Sequence, residues 1–154
     1  MINIQKMLTF EESNKLVAYF CSEGYLTCGI GHNLDTNPAP EILNRKINKG
    51  DNITNEESQK LFERDLNMTI AQLKHNLPYF DNLDKKYQVV LINMAFQMGC
   101  NGILKFKHML SAMKGNNDED VINSMKDSLW YKQTTNRANR LIAVINNNPP
   151  KEYL

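Results

Sequence analysis

The stretch YQVVLINMAFQMG, residues 87–99, is apolar nearly all the way round its helical circumference. A helix with one apolar stripe can lie on a surface, but a helix apolar on every side must be enclosed by other elements. Residues 87–99 are therefore expected at the centre of a helical bundle, and the rest of the chain has to supply the shell. A chain of 154 residues with 42% apolar side chains can bury such a core as one compact domain or two small lobes. Disordered and fibrous architectures are excluded on the same ground.

The shell is readable in outline. Ile4, Met7, Leu8 and Phe10 fall at roughly helical spacing, predicting a short first helix that ends near Glu12. Thr54 and Glu57 stand at capping-box spacing. With Leu61, Leu66, Ile70 and Leu73 as its apolar stripe, a long amphipathic helix is predicted from about 55 to the mid-70s, long enough to connect two lobes. After Gly99 and Gly102, short helical segments are separated by KGNNDED and QTTN, and the prolines of NNNPPKEYL stop the last one.

Between the first two helices the pattern changes. LVAYF and YLTCGI, within residues 15–34, are rich in β-branched and aromatic residues, and three of the seven glycines (Gly24, Gly29, Gly31) fall there, so a small hairpin or meander is predicted. DTNPAPE and NKGDNIT read as loops. The expected fold is α+β: a β-containing N-terminal lobe at about 13–58, and a helical lobe formed by 1–12 plus 59–154 and reached through the long helix.

Eighteen basic and 17 acidic residues leave a formal charge of +1. No electrostatic excess marks the chain for nucleic acid or a membrane surface. No stretch approaches the roughly 20 apolar residues of a membrane span, and the N-terminus lacks an apolar signal core. The expectation is a chain made in the cytoplasm, without stable membrane insertion. Cys21, Cys28 and Cys100 are an odd number without CxxC spacing, arguing against a zinc site or a disulfide framework. They read as reduced thiols, with a Cys21–Cys28 pairing across the hairpin as the minor alternative. No metal or cofactor is implied.

Glu12 sits at a helix-to-strand junction, where a carboxylic acid can be half buried and its pKa raised. Taken alone it would be a solvated helix-end glutamate. Cys21 follows after eight intervening residues and Thr27 after five more, so one strand out and one back can bring all three to a single cleft wall.

Glu12, Cys21 and Thr27, followed by GIGH at 29–32, resemble the catalytic signature of the phage-type lysozymes, the endolysins of glycoside hydrolase family 24. The likeness continues through LINMAFQMG (91–99) and WYKQTTNRANR (130–140), in order, while 35–53 and the tail after 146 match poorly. The resemblance implies a single lysozyme-like domain with two lobes. It also implies a muramidase that hydrolyses the β-1,4 bond between N-acetylmuramic acid and N-acetylglucosamine of peptidoglycan, with inversion. Glu12 matches the acid that protonates the leaving oxygen and Thr27 the hydroxyl that helps hold the water. Cys21 stands where well-known members carry aspartate. An unperturbed thiol with pKa about 8.5 is only slightly ionised at neutral pH, so Cys21 as a base needs donors or a positive potential nearby.

The same resemblance makes His32 a strut paired with Asp65 on the long helix, holding lobe to lobe, and makes Arg137 a residue that approaches the acid. Phe96 and Gln97 match cleft-lining residues, Asn33 follows the GIGH block at a cleft position where the type member has leucine, and Met109 and Ser124 fall near sugar-contact positions but differ in type. The implied partner is the peptidoglycan glycan strand, reached by a monomer through a holin-type membrane lesion. Two further readings are a lysozyme-fold glycan binder that has lost hydrolysis and, more weakly, a cysteine peptidase or amidase using Cys21 with His32.

Overall fold

The computed structural model describes residues 1–154. The fold is α+β, and the chain packs as two compact units, Leu8–Met68 and Met1–Met7 with Thr69–Leu154. Helices α1 (Ile4–Glu12) and α3 (Asn55–Asn76) each begin in one unit and end in the other. No single helix is long and apolar enough to cross a membrane.

In Leu8–Met68, strands β1 (Lys15–Phe20), β2 (Leu26–Gly29) and β3 (His32–Asn33) form an antiparallel sheet in sequence order. Tyr19 lies opposite Thr27, and Thr27 lies opposite Asn33. The outer edge of β1 does not face water unpaired. Ala18 N donates to Asp51 O, Gly50 N to Ala18 O, and Ile53 N to Leu16 O, each at 2.8–2.9 Å. This pairing covers an edge that would otherwise invite association. Ala18, Cys28, Leu34, Leu43, Ile53 and Leu61 are buried together as the core beneath the sheet.

The segment DTNPAPE, expected as loop throughout, runs into a single helical turn, α2 (Pro40–Leu43). Proline at the first helical position presets φ and gives up only an N–H that the helix could not have used, and the turn buries Leu43. The capping box that starts α3 is formed in both directions: Glu57 N donates to Thr54 Oγ1 at 3.0 Å and Thr54 N to Glu57 Oε1 at 2.9 Å. Glu57 also receives Arg45 through two nitrogens, at 2.6 and 3.1 Å.

In the other unit, α4 (Lys85–Leu104) carries the apolar stretch, and every residue from Val90 to Ala95 is buried. Asp84 caps it by accepting from Lys86 N at 3.0 Å. Gly99, at φ 78° and ψ 161°, breaks the helix with a backbone conformation open to glycine and costly to a side chain. Helices α5 (Lys107–Lys114), α6 (Asp118–Lys126), α7 (Leu129–Gln133) and α8 (Thr135–Ile145) complete the shell. Met109, Met113, Val121, Met125, Leu141 and Ile145 are fully buried within it. The methionines serve as adaptable core filler, where an unbranched chain fits irregular gaps.

Candidate active site

Three of the residues singled out in the sequence, Glu12, Cys21 and Thr27, lie within the unit Leu8–Met68. Glu12 is the last residue of α1, half buried, three positions before β1 begins. Cys21 follows the end of β1 and enters the hairpin turn: its N–H donates to Tyr25 O, and Gly24 N–H returns to Cys21 O, both at 2.9 Å. Thr27 sits in the central strand and is 5% exposed. The sheet therefore fixes the thiol and the hydroxyl by short-range backbone bonds.

All three cysteines are free, but they differ chemically. Desolvation pushes the Cys21 thiol up; the backbone N–H groups of Glu23 and Tyr25 and the Thr27 hydroxyl outweigh it and hold the thiol below its ordinary value, with the Glu23 charge opposing them. Hydrogen bonds to the charged form favour ionisation. Cys28 is the opposite case, because burial in the core, followed by the charges of Asp65 and Glu57, pushes it up to about 11. Burial also raises Cys100, whose thiol donates to Gln72 O at 3.6 Å.

Thr27 Oγ1 donates to Tyr25 O at 2.9 Å. A hydroxyl has one hydrogen, so this proton has two acceptors to choose between: the Tyr25 carbonyl and, once ionised, the Cys21 sulfur.

Around these groups the structure adds residues that sequence reasoning passed over. Tyr19, the cross-strand neighbour of Thr27, has its phenol pushed up by burial and then by the charges of Glu12, Cys21 and Cys28. Period-two alternation along β1 was its only signal. Gly31, at φ 63°, lies directly against Glu12; its signal was the glycine-rich GIGH block itself.

His32 is 2% exposed, and both ring nitrogens face oxygen acceptors: Asp65 Oδ2 at 2.6 Å from Nδ1 and Asn37 O at 2.7 Å from Nε2. Both residues lie in Leu8–Met68, so the pair joins the sheet to α3 inside one unit; the lobe-to-lobe strut expected from the sequence is corrected to this local one. Both ring nitrogens are thus taken up by partners within the unit, the arrangement of a structural strut. Asn33 Oδ1 accepts from Asp35 N at 2.9 Å and Thr36 N at 3.1 Å, closing the turn after β3.

Phe96, Gln97 and Arg137 belong to the other unit. Gln97 Oε1 accepts from the Trp130 indole at 2.9 Å, and Phe96 is half buried on α4. Arg137 is 8% exposed; its Nε donates to Asn93 Oδ1 at 2.8 Å and its Nη2 to Asn93 O at 3.2 Å. Asn93 was hidden in the sequence inside the apolar run. Met109 is fully buried and, with the half-buried Ser124, lines an open cavity of about 1170 Å³ whose wall also includes Met98, Phe106 and Trp130. No cluster of three or more His, Cys, Asp or Glu residues is placed to hold a metal ion.

The phage lysozyme family pattern matches residues 9–143. The chain is 38% identical to probable T4-type lysozyme 1 of Dictyostelium discoideum, over 93% of both chains. It is 34% identical to probable T4-type lysozyme 2 of the same organism, over 98% of both. Similarity at 35% identity also extends over 94% of this chain and 28% of the pre-baseplate central spike protein Gp5 of Enterobacteria phage T4. The chain belongs to the phage lysozyme family and is a glycoside hydrolase.

Proposed function

We propose that this enzyme hydrolyses the β-1,4 bond between N-acetylmuramic acid and N-acetylglucosamine in bacterial peptidoglycan, with inversion. The observation that carries the reading is the hairpin's treatment of Cys21: two backbone N–H groups and the Thr27 hydroxyl favour its thiolate, in the same unit as Glu12. Glycosidic cleavage by this route needs a proton for the leaving oxygen and a group that orients and deprotonates water on the opposite sugar face.

In the proposed step, protonated Glu12 gives its hydrogen to the leaving oxygen as the bond to the anomeric carbon breaks. The Cys21 thiolate takes a proton from the water attacking the opposite face, and Thr27 helps hold that water. The enzyme then has a carboxylate and a thiol, and one proton transfer through solvent restores the starting forms. His32 and Asp65 support the sheet. Arg137, held by Asn93, serves as the supporting cation, and Asn33, Phe96 and Gln97 serve as glycan contacts. The chain acts as a monomer on glycan strands, without nucleic acid. It reaches the wall from a host cytoplasm through a holin-type lesion; lysis on cytoplasmic expression without permeabilisation contradicts that route.

Turbidity loss and new reducing ends on purified walls test the reading. The wild-type chain is expected to produce both and Glu12→Gln neither; hydrolysis surviving in Glu12→Gln overturns the assignment. Wall binding without new reducing ends in the wild type would instead identify a glycan binder.

A further inference from the structure

Gly31 and Glu12 are in closer contact than any side chain at position 31 would permit. A Cβ placed on Gly31 would lie 2.9 Å from Glu12 Oε2 and 3.1 Å from both Glu12 Cδ and Glu12 Cβ. The glutamate thus lies along the bare Gly31 Cα from the root of its side chain to its carboxyl group. Gly31 also has φ 63°, so glycine is favoured there twice over, by backbone conformation and by space.

The two requirements can be separated by comparison within the molecule. Gly24 and Gly50 have φ of 85° and 90°, and a Cβ on either would meet nothing within 4 Å. Gly29 has φ 59°, but its neighbour is Ser58 Oγ at 3.0 Å, a hydroxyl bonded to Asn14 Oδ1 at 2.7 Å. Among the glycines with positive φ, only Gly31 sets its bare face against a carboxylate.

We propose that Gly31 is a positioning residue for the proton donor, its bare Cα being the surface on which the Glu12 carboxyl is held in working position. The proposal rests on Glu12 being the acid. The contact at Glu12 Cβ makes displacement unavoidable. Oε2 and Cδ can swing aside by rotation, but Cβ is fixed to the end of α1, so the helix end or the 29–32 turn must shift as well. A shift of a few tenths of an ångström matters, because acid catalysis depends on hydrogen-bond reach to the leaving oxygen. The effect is transmitted wholly through Glu12, so Gly31 itself need touch neither sugar nor water.

The test compares Gly31→Ala, Gly50→Ala and Glu12→Gln in the full chain, on soluble peptidoglycan fragments. Gly50→Ala carries the left-handed backbone strain without the contact, and its kcat should match wild type. Gly31→Ala should lower kcat about 100-fold, the scale of a misplaced general acid, with KM changed by no more than about twofold. Its Glu12 carboxyl, followed by carbon-13 NMR titration, should move in midpoint, whereas that of Gly50→Ala should not. Gly31→Asn, whose side chain tolerates positive φ, carries the same Cβ and should behave alike if Gly31→Ala does not fold. A folded Gly31 variant with the kcat and Glu12 titration of Gly50→Ala overturns the proposal. Survival of hydrolysis in Glu12→Gln would instead remove the acid assignment, while the titration would still read whether Gly31 positions Glu12.

Discussion

The Thr27 hydroxyl donates to the carbonyl of Tyr25 at 2.9 Å, and Tyr25 also presents its own N–H to the Cys21 sulfur. With the N–H of Glu23, the hairpin therefore places three donors beside one thiol, two fixed in the backbone and one free to rotate. Iodoacetamide at neutral pH should label Cys21 first, because its pKa is held low, and leave Cys28 unlabelled, because burial pushes that thiol to about 11. Mass mapping after limited labelling checks the order. Thr27→Val removes one of the donors, so its Cys21 labelling should need a higher pH.

Cys21 variants separate a thiolate base from a mere water-holder. Cys21→Asp should keep hydrolysis and become insensitive to iodoacetamide, since a carboxylate supplies the same base without a thiol. Cys21→Ser, which cannot ionise near neutral pH, should lose about 100-fold or more in turnover, the usual contribution of a general base. Full activity of a chain with confirmed Cys21 labelling would remove the thiol from the mechanism.

The role proposed for His32 and Asp65 is structural and not chemical. Asp65→Asn replaces the carboxylate facing a buried imidazole with a neutral amide, and losing a hydrogen bond to a charged group costs about 1.5–3 kcal/mol. Urea unfolding should show this loss. In conditions where the variant remains folded, its activity per folded molecule should stay close to wild type.

Glu57 gives the fold an acid limit. The Arg45 hydrogen bond, helped by the Thr54 backbone N–H and opposed by burial, lowers its pKa from 4.5 to about 2. A carboxylate with a depressed folded pKa contributes stability above its unfolded value and loses it as pH falls through the folded one. Stability should thus decline between about pH 4.5 and pH 2. Arg45→Met should flatten that decline, as followed by thermal unfolding across the range.

The elements that sequence reasoning reached were those written in short-range pattern. The run at 87–99 could only be an enclosed helix, and Val90–Ala95 are buried throughout. Thr54 and Glu57 are three residues apart and bond reciprocally. By contrast, α2 was missed because a proline-rich segment has the composition of a loop even when Pro40 starts a turn of helix. The same limit governs the candidate site. The spacing of Glu12, Cys21 and Thr27 was visible along the chain, but the seating of Glu12 on Gly31 depends on how the end of α1 meets the β2–β3 turn. Asn93, inside the apolar run, carried no signal of its own, because its partner Arg137 lies 44 residues away in the chain.

The most direct test of the central claim is the stereochemistry of the first products from purified peptidoglycan. Proton NMR early in the digestion should show new N-acetylmuramic acid reducing ends appearing first as the α anomer, from a β linkage, and none with Glu12→Gln. Initial β anomer, or released amines without reducing ends, would contradict the account.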